Sequence, residues 1–124
     1  MEMYFGSFKL KKSNNDIDTL VTFDIPDIGV KFKAPYQAKG MVIDYASLLT
    51  LLEFVEVNPQ LFSNRALELY TNNFDLINQV NNNKVDNTAL APYLQKALEY
   101  RDRLNYTLNW VSRPDNPALR SKID

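Results

Sequence analysis

The pattern of apolar and polar positions opens as strands. Between Met3 and Leu10 the apolar set Tyr4, Phe5, Phe8 and Leu10 alternates loosely, and Ser13-Asn14-Asn15-Asp16 then supplies turn chemistry. Thr19 to Ile25 (TLVTFDI) is β-branched and aromatic, and Pro26-Asp27 ends it. Val30 to Ala34 (VKFKA) alternates cleanly, which predicts Val30 and Phe32 facing inward with Lys31 and Lys33 in water. Three short strands with tight connections predict an antiparallel meander, punctuated afterwards by Pro35 and Gly40. Residues 42 to 57 (VIDYASLLTLLEFVEV) are too long for a strand and rich in Leu, so length favours helix. Its polar members Asp44, Ser47, Thr50, Glu53 and Glu56 fall three apart and spiral around the axis instead of stacking. The solvated face is therefore narrow, and this helix should be buried on most sides until Asn58-Pro59 stops it.

Ala66 to Thr71 (ALELYT) is strand-like again, and Phe74 to Val80 (FDLINQV) reads as a short helix followed by the loop Asn81-Asn82-Asn83. Asn87 or Thr88 can cap a second long helix that tolerates Pro92 in its first turn. Leu90, Leu94, Ala97, Leu98 and Leu104 form its apolar stripe, and Glu99 and Arg103 sit in the favourable i,i+4 order. Tyr106 to Val111 (YTLNWV) is a last strand, left through Ser112-Arg113-Pro114-Asp115. The order β-β-β-α-β-α-α-β predicts an α/β domain, a five-stranded mixed sheet (antiparallel meander plus parallel strands) flanked by helices.

Composition narrows the chemistry. The 124 residues carry 14 Lys+Arg against 15 Asp+Glu, with no Cys and no His. That excludes disulfides, thiolate nucleophiles, Ser-His-Asp triads and His- or Cys-ligated metals. Metal chemistry would have to rest on carboxylates holding a hard cation. Residues 1–64 carry 6 basic and 8 acidic groups and residues 65–124 carry 8 and 7, so neither half is a basic tail. Fourteen Asn residues are attributed to compositional drift and turn chemistry. No targeting signal and no apolar run of membrane-spanning length is visible, so a cytoplasmic location is expected.

Three local stretches carry a resemblance. Leu67-Glu68-Leu69-Tyr70-Thr71-Asn72-Asn73 followed by Leu76-Ile77-Asn78-Gln79-Val80-Asn81 resembles the central strand and helix of the ribonuclease H-like family, close to "Y-T-D-S-x-x-V-V-N-Q-V-N". Trp110-Val111-Ser112-Arg113-Pro114-Asp115-Asn116-Pro117-Ala118 is similar to the family's "W-V-P-R-E-x-N-x-x-A-D". Ile43-Asp44-Tyr45-Ala46-Ser47-Leu48 stands where "A-E-Y-x-A-L" opens the family's first helix. The likeness spans Asp44 to Ala118 and implies one ribonuclease H-like domain over residues 1–124, its last helix truncated or absent because few residues follow Ala118.

That family implies a two-metal hydrolase, in which carboxylates hold two Mg²⁺ that activate water against a phosphodiester. Carried over residue by residue, the acids fail. The first-strand "D-G-S" is matched by Phe5-Gly6-Ser7, the fourth-strand acid by Asn72 and the last-helix acid by Leu119, counting from Ala118; only Asp44 stays acidic. The expectation is a catalytically silent domain with no cofactor, Mg²⁺ entering only with residual activity, that binds RNA/DNA hybrid or structured nucleic acid weakly. Lys9, Lys11, Lys12, Asn72 and Asn73 are the candidate contacts. The alternative is a protein-interaction or self-assembly module, homo-oligomer included, and a ribonuclease with rearranged acids comes third.

Each candidate also has an ordinary structural role. Asp44 is either a leftover weak metal ligand or a carboxylate favoured by the helix dipole. Asn72 and Asn73 suit a helix N-terminus, and Lys9, Lys11 and Lys12 suit a solvated strand edge. Asp115 belongs to its turn unless it replaces the missing acid, and Asp24 and Asp27, the other acids available to rebuild a site, are expected in water. Trp110, alternating with Leu108, is expected in the core, with base stacking as the alternative.

Overall fold

A computed structural model describes residues 1–11, 17–63 and 65–120. Strands β1 (Glu2–Lys11), β2 (Ile17–Ile25) and β3 (Val30–Pro35) form the expected meander. Helix α1 (Met41–Val57) follows, then a single-turn helix α2 (Pro59–Phe62), strand β4 (Glu68–Thr71) and helix α3 (Phe74–Asn82). Helix α4 (Ala91–Leu104) leads to strand β5 (Thr107–Trp110). The sheet has the order β3-β2-β1-β4-β5, antiparallel across the meander and parallel from β1 through β4 to β5. The mixed sheet expected from the element order is therefore the one observed.

Strand alternation sorts the sheet into two faces. Met3, Phe5, Phe23, Ile25, Leu69 and Leu108 point to one side and join Tyr45, Leu48, Leu51, Leu52 and Val55 of α1 in the main core. Eight of the seventeen α1 residues are buried, Ser47 among them, as the broken polar spiral implied. Ser47 avoids an unmet hydroxyl by donating to the Gly6 carbonyl at 2.8 Å. Leu90, Leu94 and Ala97 of the α4 stripe are buried, whereas Leu98 and Leu104 pack at its margin. Two single-turn 3-10 helices follow β5, Arg113–Asp115 and Pro117–Leu119, and the second covers the opposite face. Leu119 lies over Gly6 there, so close that a Cβ on Gly6 would stand 3.0 Å from its nearest methyl. Gly40 enters α1 with φ +61°, a conformation that side-chain-bearing residues rarely adopt.

The structure corrects several expectations. The helix α2 was not foreseen, because four residues after a proline carry no periodic signal. Asn87 caps a 3-10 turn, Thr88–Leu90, rather than α4 itself. Arg103 reaches Glu56 on α1, Nε to Oε2 at 2.6 Å, instead of its own-helix Glu99. Asp24 does not face water: it is only 4% exposed, on the Gly6 side of the sheet. Asp27 is exposed as expected and pairs with Arg65. Trp110 leaves the core: it is the last residue of the edge strand β5 and is 56% exposed.

Packing on α1 should dominate stability. Leu51→Ala, at a fully buried position, is expected to cost about 2–5 kcal/mol. Val57→Ala, at a side chain 65% exposed, should stay within about 0.5 kcal/mol. Urea unfolding of both variants checks the contrast.

Candidate functional site

The site forms where β1, the start of α1 and the end of β4 meet. Phe5 and Ser7 lie on the same face of β1, two residues apart. Phe5 is fully buried in the core, so its side chain is spent on packing. Ser7, midway along β1, stands beside Asp44 in the first turn of α1. From β4 comes the turn Asn72-Asn73. Thr71 is buried and its hydroxyl oxygen accepts from the Asn73 backbone N–H at 3.2 Å. The Asn73 side chain then works in both directions. Its Oδ1 caps α3 by accepting from the Leu76 N–H at 3.0 Å, and its Nδ2 donates to Asp44 Oδ2 at 2.9 Å.

Asn116 closes the arrangement from below and is the residue that sequence reasoning missed. It is 1% exposed. Its Nδ2 donates to the Phe5 carbonyl at 3.0 Å and to Asn72 Oδ1 at 3.3 Å, while its Oδ1 accepts from the Ala118 N–H at 3.0 Å. One amide thus joins β1, the end of β4 and the segment after β5. Its signal in the sequence was the Asn of the stretch Trp110 to Ala118, matched to the family pattern and given no role beyond turn chemistry.

The four positions implied by the resemblance do not converge as anionic ligands. Phe5 and Leu119 are apolar and buried, with Leu119 over Gly6 on the sheet face away from Phe5. Counted from Asn116 instead of Ala118, the last position falls on Arg120, a cation whose charge pulls on Asp24. Asn72 contributes a neutral carbonyl oxygen already engaged by Asn116. Asp44 alone is acidic. Burial pushes its pKa up, while polar contacts with Ser7 and Asn73 and the charge of Arg113 act against that rise.

Of the remaining acids only Asp75, in the first turn of α3, lines a cleft with Asp44. Asp24 is on the opposite sheet face, its pKa also raised by burial against the pull of Lys31 and Arg120. Asp115 accepts from the Ser112 hydroxyl at 2.8 Å, as a turn residue should. Among the described residues no three carboxylates form a metal-binding group. Such a donor set, one carboxylate with an amide partner, does not fit two neighbouring divalent cations.

Two clefts share Ser7, Lys9 and Asp44. One, about 440 Å³, continues to Asn72, Asn73, Phe74 and Arg113. The other, about 810 Å³, runs past Thr19, Gln37 and Lys39 to Gly40 at the α1 N-terminus. Of the three candidate lysines, exposed Lys9 lines both clefts. Lys11 is placed only as backbone of β1, and Lys12 lies outside the described residues. No helix among the described residues is long and apolar enough to cross a membrane.

No protein-family model and no curated protein matches the sequence. Solved structures do match. A ribonuclease H1 isolated from compost by a metagenomic approach superimposes with a TM-score of 0.71 at 15% identity, over 93% of this chain and 86% of that one. The same enzyme in complex with RNA/DNA hybrid matches with a TM-score of 0.71 over 94% of this chain and 88% of the other, at 15% identity. The N-terminal ribonuclease H domain of a Mycobacterium tuberculosis protein matches at 0.66 and 14% identity, covering 96% and 93% of the two chains. The ribonuclease H1 of Halobacterium salinarum matches at 0.63 and 18% identity, covering 95% and 89%.

The buried acids predict an unusual pH response. A carboxyl whose pKa is raised on folding binds its proton more tightly in the folded state, so stability increases as pH falls through the raised value towards the ordinary 3.8. Acidifying from neutral pH to about 4 should therefore gain stability from Asp44 and Asp24. Asp44→Asn should flatten the gain, and urea midpoints across that range show it; an unchanged slope would contradict the assignment.

Proposed function

We propose, starting from the ribonuclease H-like fold that the chain carries, that it is a nucleic-acid-binding domain that holds an RNA/DNA hybrid without cutting it. The carrying observation is the replacement of the acidic set. Phe5 and Leu119 are buried apolar side chains, Asn72 is held by Asn116, and the single acid Asp44 is held by Asn73. Two-metal hydrolysis needs several anionic oxygens to balance two dications at close range. Here one carboxylate is held by Ser7 and Asn73 with the charge of Arg113 nearby, and burial still raises its pKa, so it offers a poor anionic ligand.

Binding is supported separately. Similar folds are solved with RNA/DNA hybrid, both in the compost enzyme and, at a TM-score of 0.60 and 9% identity over 90% of this chain and 17% of the other, in a foamy viral protease-reverse transcriptase. On this chain, Lys9, Lys39 and Arg113 line the adjoining clefts and offer cations to a phosphate backbone, while Asn72 offers an amide. With so few cations the electrostatic part is small, and affinity should be modest.

A labelled hybrid incubated with excess protein in Mg²⁺ and then Mn²⁺ should migrate slowly on a native gel and remain full length on a denaturing one. Lys9→Ala should weaken retardation and lower the salt slope by about 1. Cleaved strands would overturn the silent reading. An unretarded hybrid would overturn the binding reading and move the role to protein partners.

A further inference from the structure

We propose that the C-terminal ends of β4 and β5 carry a stacking platform for unpaired nucleobases, formed by Phe74 and Trp110 beside Asn72 and Arg113. The idea rests on the nucleic-acid reading above and names the form of ligand that this edge takes. Among the described residues these are the two most exposed aromatic rings, 58% for Phe74 and 56% for Trp110.

Neither ring is placed for core packing. Trp110 ends the edge strand β5 in register with Thr71, and the Val111 N–H donates to the Thr71 carbonyl at 3.1 Å. Phe74 is the first residue of α3, three residues beyond Thr71. The turn Asn72-Asn73 therefore runs between the two ring positions, and both border the same end of the parallel strands. Phe74 also lines the 440 Å³ cleft that holds Asp44, Asn72 and Arg113.

The chemistry around the rings suits a base more than an aliphatic ligand. Two flat apolar faces left in water favour contact with another flat π-system, and every base offers one. Asn116 fixes the Asn72 amide by donating to its Oδ1, which leaves the Asn72 Nδ2 donors for the acceptor edge of a base or a phosphate oxygen. Arg113 is exposed at the cleft and can stack on a base or pair with the backbone. Lys9 and Arg113 are the cations of this cleft, against Asp44 and Asp75. Stacking must then carry more of the affinity than charge does. A duplex hides its base faces, so the platform would engage a single strand or a single-stranded overhang on a hybrid.

The chain contains one tryptophan, so its emission reports on Trp110 alone. The experiment titrates the protein with a single-stranded ten-nucleotide oligomer, a blunt RNA/DNA hybrid and the same hybrid with a single-stranded overhang, each followed by Trp110 emission and by native gel. The single strand and the overhanging hybrid are expected to quench Trp110 to saturation, with a log-log salt slope no steeper than about −1.4 for two phosphate contacts on a single strand. Phe74→Ala should weaken single-strand binding roughly 5- to 150-fold, and Trp110→Ala, followed by gel, should do the same. Circular dichroism of both variants confirms that these surface changes leave the fold intact.

Retardation of blunt and overhanging hybrids alike, with Trp110 emission unchanged, would overturn the platform and leave the hybrid reading standing. Single-strand binding without blunt-hybrid binding would support the platform and remove the hybrid reading. Failure of all three probes would remove both.

Discussion

The buried amide of Asn116 is the interaction on which the site's geometry depends. Removing a side-chain amide from water costs free energy unless its hydrogen bonds are replaced, and Asn116 replaces them with three groups from three separate segments. The Phe5 carbonyl belongs to the central strand, Asn72 to the end of its parallel neighbour and Ala118 to the segment beyond the edge strand. The same turn delivers Leu119 onto Gly6, whose missing side chain permits the approach. An apolar plug and a satisfied amide thus hold together an end of the sheet where related chemistry would require a cluster of acids and counter-ions. That cluster would repel itself without metal; the observed one is neutral and self-sufficient.

What remains ionisable there carries the mark of burial. Asp44 sits at the positive end of α1, is held by Asn73, faces Arg113, and still has a raised pKa because desolvation outweighs those favourable contacts. Asp24 shows the same balance on the far face. Beside Asp44 the cleft is lined by the amides Asn72 and Asn73 and by the exposed ring of Phe74. The site is poor in anionic ligands, modest in positive charge, and bordered by amides and an exposed ring.

Much of the fold was legible because period and length are local properties. The alternation of Val30 to Ala34, the Leu-rich length of α1 and the capping chemistry of Asn73 each reappear in the structure. The placing of Asp44 in the first turn of the long helix and of Asn72 just beyond the fourth strand was legible too. What escaped depended on tertiary neighbours. Nothing local to Asp24 says that a 3-10 turn will cover it, and the partner of Arg103 is 47 residues away on another helix. Trp110 alternates like a core residue, but alternation does not say that its strand ends at the open edge. Asn116 looked like one more turn Asn among fourteen, and only its contact with Phe5, 111 residues distant, gives it its role.

Calorimetric titration with Mn²⁺ at neutral pH and low salt distinguishes an end of the sheet closed by an amide and an apolar plug from one built of metal-binding carboxylates. Without an anionic cluster, no saturable binding of divalent cation is expected in the millimolar range and no rise in Tm on adding it. Saturable uptake of two ions, lost in Asp44→Asn, would contradict that expectation.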